Sequence, residues 1–292
     1  MKKELEQRKI NEIEFHNAIR LVTDDPHVAD TRWNKKLEKT ISENPLWVNM
    51  KYYAIERRSR QYILDWFKRN CRGKKVLDLC CGNGEDSIYL AKECQAEVVG
   101  CDLSDVSISN CQKLAEAQGV SDRAKFEIED AENLSYPDNS FDFVTEYGAL
   151  HHVDLPKVYA EIARVLKPGG AAICNETLGH NIAIHVYRRL TPHLRTPWEV
   201  EHILKKPQID LARKYFRNVT VRHYHLATLA AVPFRNTVIF GSLLSVLEWI
   251  DRALLGIPVL RWQSWQAVIE LRDPIKSGEA VPHTSAPRVN MT

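Results

Sequence analysis

Two rhythms of apolar and polar positions alternate through the middle of this chain. Val76-Leu77-Asp78-Leu79-Cys80 is a short apolar run of strand type, and it leads into the tight turn Cys81-Gly82-Asn83-Gly84. A helical pattern follows over 85–94, where Ile88, Leu90 and Ala91 supply the apolar contacts. The alternation repeats with strands predicted over 97–102, 124–129, 141–147 and 171–176 and helices over 106–118 and 155–166. Gly119 and the run Lys167-Pro168-Gly169-Gly170 punctuate it. Strands alternating with helices of about 10 to 15 residues predict an α/β fold: a doubly wound, mostly parallel sheet with helices on both faces. Ligands in such a fold sit at the carboxyl ends of the strands.

The flanks follow other patterns. Residues 1–70 read as a helical, mixed-charge cap, in which 56–69 places Ile63, Leu64, Trp66 and Phe67 near one face. After Glu176 the rhythm lapses into a segment rich in His, Arg and Pro over 177–206. A helix over 208–216 and a strand over 219–225 resume it, and 265–271 reads as a last strand returning antiparallel beside 219–225. Between them, Leu243, Leu244, Leu247, Ile250, Leu254 and Leu255 keep helical spacing around Glu248, Asp251 and Arg252, an amphipathic helix. The expected organisation is a cap over 1–70 and a main domain over 71–275 with lid insertions at about 177–206 and 226–262. The tail, 276–292, is expected to be disordered.

Composition narrows the class. The 292 residues are 44% hydrophobic and 27% charged, too apolar for a disordered chain. A net charge of +2 gives no basic excess of the kind nucleic-acid binding uses. No secretory pattern and no run of roughly 18 uncharged apolar residues is present, so a cytoplasmic protein is expected. Seven cysteines, two of them adjacent, have neither disulfide-framework nor zinc-ribbon spacing, so they are read as thiols and no metal is expected.

The charge balance is a sum of unlike parts. Residues 127–161 hold nine acids and one lysine, whereas 183–225 hold nine Lys or Arg and three acids. The glycine turn belongs to the acidic side. Such a turn, followed by the free N–H groups of a helix, suits either a dinucleotide or S-adenosylmethionine. Asp78 before the turn and Glu85 and Asp86 after it would repel a pyrophosphate at short range. They suit a cofactor without phosphate that carries an ammonium and a sulfonium. The third glycine of the dinucleotide pattern is also replaced, by Ser87. Asp102 ends the second strand, where a carboxylate takes ribose hydroxyls, and Ser104 is the expected cap of the next helix. Asp130 ends the third strand, where its carboxylate could accept from an adenine amino group while the Ala131 amide donates to the ring.

These segments resemble the class I S-adenosylmethionine-dependent methyltransferases, in the small-molecule group that includes the ubiquinone and menaquinone enzymes. The parts that carry the resemblance are VLDLCCGNG, VVGCDLS, IEDAENLSYPDNSFD, EYGALHHV and RVLKPGG, over about 73–176. The resemblance implies a seven-stranded Rossmann-like sheet with its last strand antiparallel. It implies that Asp78, Gly82 and Gly84 flank the methionine portion, Asp102 the ribose, and Asp130 and Ala131 the adenine; Cys80, Leu103 and Glu146 are further candidate cofactor contacts. Cys80 departs from the glycine usual there, so its backbone must be one a non-glycine residue can adopt.

The end of the fourth strand, Glu146-Tyr147-Gly148-Ala149-Leu150-His151-His152, should face the methyl group. His151 and His152 are the candidate bases, with Tyr147 a contact to the acceptor. Arg188, Arg189 and Arg195, with His202, are candidates for an anionic acceptor, because guanidinium pairs with carboxylate or phosphate bidentately. The expected activity is methyl transfer to a small or lipid-like, anionic acceptor, oxygen before carbon. The alternative is a cofactor-binding scaffold or regulatory protein. No nucleic-acid partner is expected. The 226–260 segment is read as a lid, with a homodimer face or a peripheral membrane contact as alternatives.

Overall fold

The computed structural model describes residues 6–20 and 45–276. The seven strands lie in the order β3-β2-β1-β4-β5-β7-β6. They are β1 (Lys75–Leu79), β2 (Glu97–Asp102), β3 (Ala124–Ile128), β4 (Phe141–Tyr147), β5 (Leu166–Thr177), β6 (Phe216–Tyr224) and β7 (Gln266–Pro274). β1 to β5 pair in parallel, and β7 runs antiparallel between β5 and β6. The return of the last strand beside β6 therefore matches its sequence pattern.

Both faces of the sheet are buried, as a parallel sheet requires. Successive strand residues point to opposite faces, so Val76, Val98, Ile173 and Val268 pack under Trp66, Phe67 and Leu90. Leu77, Leu79, Val144 and Ile269 pack under Tyr159 and Ile162 on the other side. The covering helices are α2 (Arg57–Asn70), α3 (Glu85–Glu93), α4 (Asp105–Ala117) and α5 (Leu155–Val165). Ser104 caps α4 as expected, its hydroxyl accepting the Ser107 N–H at 3.0 Å. Strand β5 begins five residues before the expected start, because Leu166 already pairs with Phe141 before a register shift. The helix expected over 208–216 ends early: a short helix, Lys206–Asp210, gives way to a 3-10 turn, Leu211–Lys214, and Phe216 enters β6.

Helix α1 (Gln7–Arg20) lies across the carboxyl ends of the strands. Beyond β5 come α6 (Ile182–Leu190), α7 (Pro197–His202) and the short α8 (Lys206–Asp210). Between β6 and β7 lie a 3-10 segment, Ala227–Phe234, and α9 (Phe240–Leu254). Leu244 of α9 is buried with Ile55 and Trp265, but so are two of its acids. Glu248 pairs with Arg57 and Arg58, and Asp251 accepts from the Thr228 hydroxyl at 2.8 Å and from the backbone N–H groups of 226–228. The apolar Val246 and Trp249 face outward instead. No described helix is long and apolar enough to cross a membrane. Except for Lys276, the tail read as disordered lies outside the described residues, as do 1–5 and 21–44 of the cap.

Candidate active site

The turn after β1 is built on left-handed backbone. Cys80, Gly82 and Gly84 have φ of 54°, 56° and 80°. At Gly84 a Cβ would stand 2.9 Å from Cys111 Sγ, so only glycine lets α3 start so close to α4. Gly84 thus shapes the turn and is not among the residues lining the cavity, whereas Cys80 and Gly82 are. Cys80 occupies the small left-handed region open to L-residues, at a steric cost. Cys80→Gly is expected to change stability by less than about 1 kcal/mol, while β-branched Cys80→Val should cost about 2 kcal/mol. Denaturant midpoints for the pair check this; equal losses would assign the cost to missing thiol packing.

Above this turn is a cavity of about 460 Å³, floored by the carboxyl ends of β1, β2 and β3 and roofed by α1. Asp78, Asp102 and Asp130 all line it, with Leu103 and Ala131 between them. Burial pushes the Asp78 carboxyl up to about 8, and neighbouring Asp86 and Glu85 add to the shift against the Ser87 hydroxyl that donates to it at 2.6 Å. Asp102 is fixed by the Gly82 N–H at 3.0 Å and the Ser104 N–H at 2.9 Å, one on each oxygen. Asp130 accepts from the Glu132 N–H at 3.0 Å and from Lys9 Nζ at 2.6 Å.

Helix α1 supplies the residues that sequence reasoning did not single out. Lys9 meets Asp130, Arg8 meets Glu132, and Arg20 Nη1 stands 3.7 Å from Asp102. From α2 and the preceding turn come Arg60, which pairs with Asp86, and Glu56, which accepts from the Tyr147 hydroxyl and the Gln266 amide. Burial pushes the Glu56 carboxyl up to about 7 against those two hydrogen bonds. The cavity therefore gathers buried carboxylates whose charge a bound cation would stabilise.

A second cavity, about 190 Å³, adjoins the first across Tyr53, Tyr147, Gly148 and His152, which line both. Tyr52, Ile184, Tyr187, Leu194 and Trp265 give it aromatic and aliphatic walls. Arg188 and Arg195 reach it and share one carboxylate, Glu199, at 2.6 and 3.3 Å. Among the described residues, three of its buried polar atoms lack a partner: Asn175 Oδ1, Thr177 Oγ1 and Arg188 Nη1.

The other expected site residues fall as follows. His151 Nδ1 lies 2.7 Å from Glu176 and His152 Nδ1 lies 2.9 Å from Glu12, with the two rings 4.2 Å apart. Glu146 is buried beneath the strand-end loop, accepts the Ala149 N–H and lines neither cavity. Burial, with Glu176 beside it, pushes its carboxyl well up. Arg189 is exposed, and His202 stacks on Trp198 at 3.6 Å; neither lines a cavity. The signal for Glu12 and His16 was their spacing of four, which puts both on one face of a helix.

A family model described as a methyltransferase domain matches residues 76–170. Demethylmenaquinone methyltransferase of Lactiplantibacillus plantarum is 44% identical over 105 residues, covering 35% of this chain and 44% of that protein. The 27-O-demethylrifamycin SV methyltransferase of Amycolatopsis mediterranei is 41% identical over 99 residues, covering 34% of this chain and 36% of that one. The matched stretch is thus less than half the length of either relative. Among solved structures, geranyl diphosphate C-methyltransferase from Streptomyces coelicolor shares the fold at 12% identity, with a TM-score of 0.57 over 92% of this chain and 98% of that one. Phosphoethanolamine N-methyltransferase 2 of Haemonchus contortus does so at 18% identity and a TM-score of 0.55, over 80% and 59%. The strand-end carboxylates, the glycine turn and these likenesses together identify residues 76–170 as a methyltransferase domain of the class I, S-adenosylmethionine-dependent type.

Proposed function

We propose that the chain transfers the methyl group of S-adenosylmethionine to a small acceptor with an anionic or hydroxyl end, held in the 190 Å³ cavity. The observation that carries this reading is the adjoining pair of cavities: one lined by Asp78, Asp102 and Asp130, the other by Arg188 and Arg195. Asp130 and Ala131 take the adenine, Asp102 the ribose hydroxyls with Leu103 packed beside the nucleoside, and Asp78 the ammonium. The sulfonium then faces the shared wall of Tyr147, Gly148 and His152. There the acceptor oxygen attacks the methyl carbon in line, the C–S electron pair returns to sulfur and the hydroxyl proton passes to the His152 imidazole. The protein's part is alignment and exclusion of water. Of the two candidate histidines, His152 stands at the transfer point and His151, bound to Glu176, holds the loop behind it.

Oxygen remains our first choice of acceptor atom and carbon the second. Matched relatives are named for 27-O, 24-C and phosphoethanolamine N-methylation, so the shared domain does not select one. The unpartnered Asn175 Oδ1, Thr177 Oγ1 and Arg188 Nη1 and the aromatic walls support a compact acceptor, polar at one end. Labelled methyl transfer to a panel of phenols, aromatic acids and prenylated acids tests the reading. Tight cofactor binding with no transfer to any of them would favour the non-catalytic alternative.

Arg188→Ala and Arg195→Ala should each raise the acceptor KM about tenfold or more while leaving the cofactor KM within about twofold. Arg189→Ala, exposed on the neighbouring position, is the control. Equal effects on both KM values would remove the anion assignment.

A further inference from the structure

Three ligand-type atoms converge where the two cavities meet. Glu12 Oε2 lies 2.9 Å from His152 Nδ1 and 3.6 Å from His16 Nε2, and the three atoms lie within 4.8 Å of one another. They come from two elements: Glu12 and His16 from successive turns of α1, His152 from the 3-10 turn after β4. We propose that Glu12, His16 and His152 form a binding site for one divalent transition-metal ion of the zinc, iron(II) or cobalt(II) class.

The spacing suits an ion: one edge, at 2.9 Å, is also a hydrogen-bond distance, and the other is longer. A contact of 3.6 Å is beyond hydrogen-bond range. Two ligand atoms each about 2.1 Å from one metal stand about 3.0 Å apart at a right angle and about 3.4 Å apart at a tetrahedral angle. The two edges that meet at Glu12 Oε2 are near these separations, and the third, between the two imidazole nitrogens, is no longer than 4.8 Å. Two histidines and a carboxylate suit zinc or iron(II), whereas magnesium and calcium prefer all-oxygen sets.

The surroundings aim the carboxylate by a hydrogen bond and hold the imidazoles by ring packing. The Thr196 hydroxyl donates to the other oxygen of Glu12, which aims Oε2 at the imidazoles. Thr196 is itself fixed as the N-cap of α7, accepting the Glu199 N–H at 3.2 Å. His16 packs edge-on against His152 at 5.1 Å, and His152 lies against His151, which is anchored on Glu176.

Three protein ligands leave coordination positions open, the arrangement of catalytic rather than structural sites. His16 and His152 line both cavities, so the open positions face the place where methyl donor and acceptor meet. An ion there would hold an acceptor hydroxyl or carboxylate and favour its ionised form. The metal would then lower the acceptor's pKa, and the proton would leave to water instead of to a free histidine base. The site also joins α1 to the core of the domain, so metal and closure of the roof would support each other.

Cobalt(II) titration of the tag-free chain, stripped with chelator and desalted, tests the site without cofactor or acceptor. The expected result is one equivalent of cobalt with visible ligand-field bands, displaced by zinc. Glu12→Gln and His16→Ala should weaken it at least tenfold, and His185→Ala, an exposed histidine of α6, should not. Thermal melts confirm that each variant is folded; if His16→Ala is not, His16→Gln takes its place. Absence of a saturable equivalent in the unaltered chain overturns the proposal, as does binding that survives both ligand substitutions. A methyltransferase without this metal and a metal site without methyl transfer give different results, because the titration reads neither activity nor cofactor.

Discussion

Asp102→Ala is expected to weaken S-adenosylhomocysteine binding by about 30- to 1000-fold, or about 2–4 kcal/mol. The figure follows from two hydrogen bonds between a carboxylate and ribose hydroxyls, each worth roughly 1.5–3 kcal/mol when one partner is charged, offset in part by water that enters the gap. Asp102 already accepts the Gly82 and Ser104 N–H groups, which present its oxygens at the end of β2. The alanine therefore also loosens the turn. Asp102→Asn separates the two effects, because its amide oxygen can keep one backbone contact while the charge is lost. Calorimetric titration checks both variants, and unchanged affinity in the alanine variant would remove the ribose assignment.

The second large effect is on pH. Asp78 lies among Asp86 and Glu85 of α3, with Arg60 of α2 on Asp86 and the Ser87 hydroxyl on Asp78 itself. Its carboxyl is pushed up to about 8 by burial, so near neutrality the empty site favours the protonated form. A bound ammonium favours the carboxylate and lowers that value. The sign follows from linkage: binding releases a proton, and affinity is lost as pH falls below about 8. The loss approaches tenfold per pH unit until the lowered value in the complex is reached, so at most about 50-fold between pH 8 and 6. Titrations in buffers of different ionisation enthalpy measure the released proton directly. Asp78→Asn should bind more weakly at pH 8 and lose most of the pH slope; an unchanged slope would place the titrating group elsewhere, with Glu56 the next to test.

The central strands were legible because burial on both faces leaves short apolar runs set between helical patterns. Glu97–Asp102 and Phe141–Tyr147 coincide with the predicted strands, and Asp102 follows from such a boundary, whereas β3 ends at Ile128 and leaves Asp130 in the loop beyond it. Helix α1 was less legible, since the side it turns inward is polar: Lys9 and Glu12 are buried on carboxylates and histidine, and apolar periodicity does not report them. Helix α9 hides its arrangement for the same reason, with Glu248 and Asp251 inside and Trp249 outside. Arg188 and Arg189 were indistinguishable as a basic pair, but consecutive residues on a helix point about 100° apart, and only Arg188 reaches the second cavity. Glu146 was assigned to the cofactor from its strand end. The structure gives its carboxylate to the loop backbone, a use invisible without the loop's path.

A crystal structure of the chain with S-adenosylhomocysteine tests the central claim most directly. The account predicts adenine beside Asp130 and Ala131, ribose hydroxyls on Asp102, the amino group by Asp78 and sulfur facing Tyr147 and His152 at the mouth of the second cavity. A nucleoside bound elsewhere, or its sulfur turned away from that cavity, would contradict it.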